Sequence, residues 1–169
     1  MSISNTPLPD AEALCTQLAA EIKPQLKPGT AMIGLYTGGA WLAERLHPLL
    51  GLDTPLGLMD IAFYRDDYHK QGLHHDPKRT RIAFEVEGRH LLLVDDILYT
   101  GRTVRAAMNE LFDYGRPASI SLVVLADRGG RQLPVCAQHC GARVQVPEGR
   151  RLRLKKDAAG TLALELDDA

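Results

Sequence analysis

The chain has 169 residues, 45% of them apolar, with 20 Lys and Arg against 21 Asp and Glu, so its net charge is −1. That is enough chain for one well-buried domain spanning residues 1–169 and too even a charge balance for a surface that is basic all over and grips nucleic acid. Three cysteines (Cys15, Cys136 and Cys140), no run long enough to span a membrane and no basic-then-apolar leader in Met1 to Asp10 lead to the expectation of a soluble, cytoplasmic protein.

In chain order, Asp10 can cap a helix whose apolar positions Leu14, Leu18, Ile22 and Leu26 recur at helical spacing, with Pro24 ending it. Ala31 to Leu35 reads as a short buried strand, followed by a loop, Tyr36-Thr37-Gly38-Gly39, and a helix bearing Trp41, Leu42, Arg45 and Leu46. A second strand is predicted over about Leu58 to Tyr64. The polar stretch from Arg65 to Arg81 shows no period, and a loop of more than about 12–15 residues is usually a functional lid or disordered. Its Arg65, Lys70, Lys78, Arg79 and Arg81 suggest a flexible lid that brings cations to an anionic ligand and excludes water. Neither His74-His75-Asp76 nor Cys136, His139 and Cys140 has the four-ligand spacing of a zinc site, so no metal held by the protein alone is expected.

Phe84-Glu85-Val86-Glu87-Gly88 then turns into Leu91-Leu92-Leu93-Val94-Asp95-Asp96-Ile97-Leu98-Tyr99-Thr100-Gly101-Arg102-Thr103. An apolar strand here delivers two adjacent carboxylates, then a Thr-Gly-Arg-Thr turn, then a helical pattern from Val104 with Met108, Leu111 and Phe112 on one face. Backbone N–H groups at such a helix start, together with the Thr100 and Thr103 hydroxyls, form a cradle for phosphate. Two carboxylates beside a phosphate site need compensation, either as acceptors for sugar hydroxyls or through a hard divalent cation shared with the ligand. The ligand so described is a ribose 5-phosphate carrying further anionic groups.

Gly115 and Pro117 stop that helix, and Ile120 to Ala126 is a further apolar strand. Continuous apolar strands alternating with helices predict a mainly parallel sheet covered on both faces. The loop Asp127-Arg128-Gly129-Gly130-Arg131-Gln132-Leu133-Pro134 should meet the acids, because ligands of open α/β sheets lie outside the carboxyl ends of the strands. Arg151 to Lys155 and Leu162 to Leu166 alternate around Asp157-Ala158-Ala159-Gly160, which predicts an antiparallel C-terminal hairpin over about residues 150–167.

Val94 to Thr103 resembles the phosphoribosyl pyrophosphate (PRPP) signature of type I phosphoribosyltransferases, in the form found in the PyrR family of pyrimidine operon regulators and uracil phosphoribosyltransferases. The likeness continues through Tyr64-Arg65-Asp66-Asp67, Gly115-Arg116-Pro117, Leu125-Ala126-Asp127-Arg128-Gly129 and Leu133-Pro134, from Gly34 to about Gly141. It implies a type I phosphoribosyltransferase fold and a reaction of uracil with PRPP giving UMP and pyrophosphate, with Mg²⁺ held mainly through the substrate. It assigns the diol to Asp95 and Asp96 as catalytic groups, and PRPP or nucleotide binding to Thr37, Gly38, Gly39, Asp95, Asp96, Leu98, Tyr99, Thr100, Gly101, Arg102 and Thr103. Arg65, Lys78, Arg79 and Arg81 become the lid cations facing pyrophosphate, and Arg128 and Val144 the base side. It also implies UMP and UTP as ligands, a messenger RNA leader as partner and a homodimer or larger homo-oligomer.

Three departures from the family pattern stand out. Tyr36 and Gly39 occupy positions where more basic residues are frequent, Gly130 stands for a histidine, and Arg143-Val144-Gln145-Val146-Pro147 replaces an Asn-hydrophobic-Pro-Thr-Ser stretch. Physics alone leaves the base open, since Arg128 or Arg131 could equally pair with the carboxylate of orotate. A second class of function also stays open, an RNA-binding attenuation regulator with little catalysis. Its positive face would draw on Arg116, Arg143, Arg150, Arg151, Arg153, Lys155 and Lys156.

Overall fold

The computed structural model describes residues 7–61 and 80–169. Helix α1, Ala11–Ile22, starts where Asp10 Oδ1 accepts the Ala13 N–H at 2.8 Å, and Pro24 lies in the 3₁₀ turn Lys23–Gln25 that closes it. Strand β1 (Ala31–Leu35) leads into α2 (Gly38–Leu50), which ends on Gly51 in the left-handed region at φ 63°. Then come β2 (Gly57–Met59), β3 (His90–Leu98), α3 (Arg102–Leu111), β4 (Ser119–Asp127) and β5 (His139–Arg143). The hairpin strands are β6 (Arg150–Lys156) and β7 (Leu162–Asp168).

The five-stranded sheet has the order β2-β1-β3-β4-β5, and all its pairings are parallel. Strand alternation splits its side chains between two cores. Met32, Leu92, Val94, Val123 and Leu125 join α1 and α2 on one face; Ile33, Leu91, Leu93, Leu122 and Val124 join Val104, Ala107 and Leu111 of α3 on the other. Both faces are therefore covered, and the strands read as continuous apolar runs for that reason.

The hairpin is more than an appendage. Leu152, Leu154, Leu162 and Leu164 are buried in the α1/α2 core, each such side chain contributing about 1.5–3 kcal/mol when removed from water. Glu12 fastens it: its carboxylate accepts the Leu162 N–H at 2.8 Å and the Arg45 guanidinium at 3.0 and 3.2 Å, while Arg45 also donates to the Gly160 carbonyl.

Two boundaries move relative to the sequence expectation. Gly38 and Gly39 form the first turn of α2 rather than a loop, and α3 begins at Arg102, two residues before Val104. Strand β5 was not expected, because His139-Cys140-Gly141-Ala142-Arg143 offers no apolar run; pairing with β4 makes it a strand. The predicted second strand is seen as Gly57–Met59 with buried Ile61 beyond it; residues 62–64 and 65–79, including Arg65, Lys78 and Arg79, lie outside the described residues.

Candidate functional site

Chain connectivity reverses direction between β1 and β3, so the loops leaving their carboxyl ends diverge and open a crevice there. Thr37 leaves β1 on one side of it, after a cis Tyr36–Thr37 peptide bond, and Asp95 and Asp96 leave β3 on the other. Contact between the two is close. A Cβ built on Gly38 would lie 2.1 Å from Asp96 Oδ2, and one on Gly39 would lie 2.6 Å from the Val94 carbonyl oxygen and 2.9 Å from Asp95 Cα. Both glycines thus lie against the strand end that carries the acids, and a side chain at position 39 would meet its backbone.

Asp95 is buried at 3% exposure and its Oδ1 accepts the Asp96 N–H at 3.0 Å, whereas Asp96 is only half-buried. One carboxylate therefore organises the strand end and the other remains open to the crevice. At the next turn, Thr100 Oγ1 accepts the Arg102 N–H at 3.2 Å, and Gly101, at φ 92°, brings the chain into α3 without a side-chain cap. The first intrahelical bond runs from Arg105 N–H to the Gly101 carbonyl, so the N–H groups of Thr103 and Val104 have no acceptor within the helix. Phosphate is the natural occupant of such a helix start.

The 127–135 loop is knitted onto this turn. The Thr100 carbonyl accepts N–H groups of Gln132 and Leu133 at 2.9 and 3.1 Å, and Arg102 Nε donates to Gln132 Oε1 at 3.0 Å. Arg131 does most of the fastening: it donates to Asp127 Oδ2 at 2.6 Å, to the Val135 carbonyl at 2.9 Å and to the Tyr99 carbonyl. Three of its five N–H groups are thereby committed to the protein. Arg128 is the opposite case. Its guanidinium stacks 4.1 Å from the Tyr99 ring centroid, and its Nε is sealed from solvent with no acceptor among the described residues. Such an unpaired buried donor costs about 1–3 kcal/mol.

Leu98 is buried beneath the site in the α3-side core and serves packing. Val144 follows β5, donates its N–H to the Asp127 carbonyl at 2.9 Å and packs, partly buried, against the α1/α2 core beside the same strand ends. Arg81 is exposed, and its backbone exchanges bonds with Leu58 at 2.8 and 2.9 Å, which places it outside β2 at the edge of the sheet, with β1 and β2 between it and the acid-bearing β3. A separate cleft of about 210 Å³ at the opposite, amino-terminal end of the strands, lined by His90, Ser119, Ser121 and His139 among others, shares no residue with this crevice. Sequence reasoning missed the Arg131 clasp and the Tyr99–Arg128 stack. A loop arginine whose partners are backbone carbonyls leaves no pattern to read.

Residues 6–142 match the family described as Phosphoribosyl transferase domain. The chain is 45% identical over 165 residues to a protein of Pseudomonas fluorescens named Bifunctional protein PyrR, covering 95% of this chain and 97% of that one. It is 47% identical over 158 residues to the protein of the same name from Ralstonia nicotianae, covering 91% and 90%. Among solved structures, a hypoxanthine-guanine phosphoribosyltransferase from Bacillus anthracis superposes with a TM-score of 0.66 at 17% identity, over 85% of this chain and 86% of that one. At that identity the likeness speaks for the fold alone.

Proposed function

The chain belongs to the phosphoribosyl transferase family, among the PyrR proteins, and on that footing we propose that residues 1–169 act as one domain joining uracil to PRPP, giving UMP and pyrophosphate. The observation that carries this reading is the meeting of Gly38-Gly39 with Asp95-Asp96 beside the start of α3. On this reading the pyrophosphate, ribose and 5′-phosphate subsites lie side by side.

The reaction needs no nucleophilic side chain. As the bond from C1′ to pyrophosphate breaks, the sugar gains oxocarbenium character, and the protein's work is placement and electrostatic stabilisation. Asp96, open to the crevice, holds the ribose diol and lends negative potential to the cationic ring; Asp95 fixes the strand end that presents it. The Thr100–Thr103 turn anchors the 5′-phosphate, the Thr37–Gly39 backbone receives pyrophosphate, and Arg65, Lys78, Arg79 and Arg81 offset its charge from the lid. Arg128 and Val144 border the base. Magnesium suits this site as an ion carried in by PRPP: the strand end offers hard carboxylate oxygens, and among the described residues no three His, Cys, Asp or Glu side chains gather into a metal-holding group. Bound there, it neutralises charge on the departing pyrophosphate.

We propose a second activity beside it: nucleotide-dependent binding of an RNA leader, with a homodimer or larger assembly supplying the surface. The hairpin contributes little net charge to it, because Arg153 faces Asp167 and Lys155 faces Glu165 and Asp167, whereas Arg116 and Arg143 are exposed. The test is product formation from uracil and PRPP. Asp96→Asn is expected to lower the rate at least several-fold with folding intact, and an unchanged rate removes the acid from the reaction. RNA binding measured alongside should weaken steeply with salt and respond to UMP.

A further inference from the structure

Tyr99 stands in the middle of the signature yet is 46% exposed, and its ring is gripped by the neighbouring loop rather than by the core. Arg128 lies over the ring at 4.1 Å. Gly130, at φ 77°, comes so near that a Cβ there would sit 2.4 Å from Tyr99 Cε2 and 2.9 Å from Cδ2. The loop is brought to this position by the Arg128 N–H bond to the Leu98 carbonyl at 3.0 Å, and the Gly129 N–H bond to Asp127 Oδ1 at 2.9 Å shapes its turn.

Arg128 and Arg131, three residues apart, are held by different physics. Arg131 spends its N–H groups on three protein acceptors. Arg128 is held by stacking, which orients the guanidinium plane without consuming a donor. A guanidinium carries five donors and no acceptor. Fixed beside the crevice with its donors uncommitted to any described residue, it attracts a carbonyl oxygen and repels an exocyclic amine.

We propose that Tyr99 is the positioning residue that presents Arg128 to a carbonyl of the incoming pyrimidine, and that Gly130 is small so that the ring can lie where it does. The trio then selects a keto pyrimidine over an amino one, uracil over cytosine. This rests on the transferase reading above and adds to it a specificity determinant.

The test is steady-state kinetics on the full chain with uracil, cytosine and PRPP varied separately. Wild-type protein that forms no nucleotide from any base would overturn the transferase reading and this inference together. With wild-type activity present, Tyr99→Ala is expected to raise KM for uracil about tenfold or more and narrow the preference over cytosine, with KM for PRPP within about twofold. Tyr99→Phe, which keeps the ring face, should keep the preference for uracil over cytosine that Tyr99→Ala loses. Arg128→Lys, which keeps the charge and loses the planar face, should reproduce the Tyr99→Ala pattern and carries the test if Tyr99→Ala fails to fold. Equal rises in both KM values, no rise at all, or a Tyr99→Phe variant as poor as Tyr99→Ala would overturn the proposal.

Discussion

Adding one methyl group at Gly39 separates the scaffold from the chemistry. In Gly39→Ala the new Cβ meets backbone on the partner strand, the Val94 carbonyl at 2.6 Å and Asp95 Cα at 2.9 Å, and backbone cannot rotate away. To reach even the tightest tolerable contact of roughly 3.0 Å, α2 and the end of β3 must part by about 0.4 Å, the kind of overpacking that costs about 1–3 kcal/mol. Alanine in a helix offsets about 1 kcal/mol of this, so the net loss is up to about 2 kcal/mol, a few degrees in Tm for a chain of this size. The same displacement shifts the Thr37–Gly39 backbone from the acids; because a 1 Å misplacement can cost ~10²-fold, kcat/KM should fall on the order of tenfold. Gly38→Ala is the partner experiment. Its Cβ would lie 2.1 Å from Asp96 Oδ2, a side-chain atom that can swing aside, so Tm should hold or rise slightly while activity falls as the carboxylate leaves its place. Differential scanning fluorimetry beside a UMP-forming assay reads both. Wild-type turnover in Gly39→Ala, or in Gly38→Ala with Asp96 displaced, would refute the claim that this contact sets the site.

Three further outcomes are expected. The Glu12 carboxyl is held below its ordinary value of 4.5, chiefly by the Leu162 N–H and then by Arg45; its stabilisation is present above pH 4.5 and lost as pH falls through the lowered value, so Glu12→Gln should flatten the acid limb of a Tm–pH curve. Burial pushes the Cys15 thiol up from 9.0 to about 11, so the folded state keeps a proton the unfolded chain loses, and stability should decline from pH 9 to about 11, less steeply in Cys15→Ala. Arg131→Ala, which frees Asp127 and the Tyr99 and Val135 carbonyls, should lower Tm and raise KM for the base; wild-type values in both would deny the clasp its role.

The sheet and the strand end that carries the acids were legible because burial and connectivity write themselves into residue type. Ala31–Leu35 and Leu91–Val94 are apolar since both faces of the sheet are covered, and the order of strand, acids and helix start needs no tertiary information. Strand β5 was illegible, because it lies at the sheet edge and is held by backbone pairing with β4. The glycines at 38 and 39 suggested a flexible anion loop, yet their reason is contact with residues almost sixty positions later. Gly130 was readable only as a missing histidine until the Tyr99 ring was seen against it. The basic residues of the hairpin suggested a positive face, whereas strand register sets acids opposite them: Arg153 pairs with Glu165 and Arg151 with Asp167 in the ladder.

The Glu12 clasp also bears on how the molecule is made. Helices α1 and α2 leave the ribosome well ahead of the leucines that seal their outer side, at 152, 154, 162 and 164. Until Leu162 emerges and its amide meets Glu12, an oily seam faces water, the condition in which nascent chains recruit chaperones or clump. A stop codon in β7 would therefore act at birth, on yield and solubility.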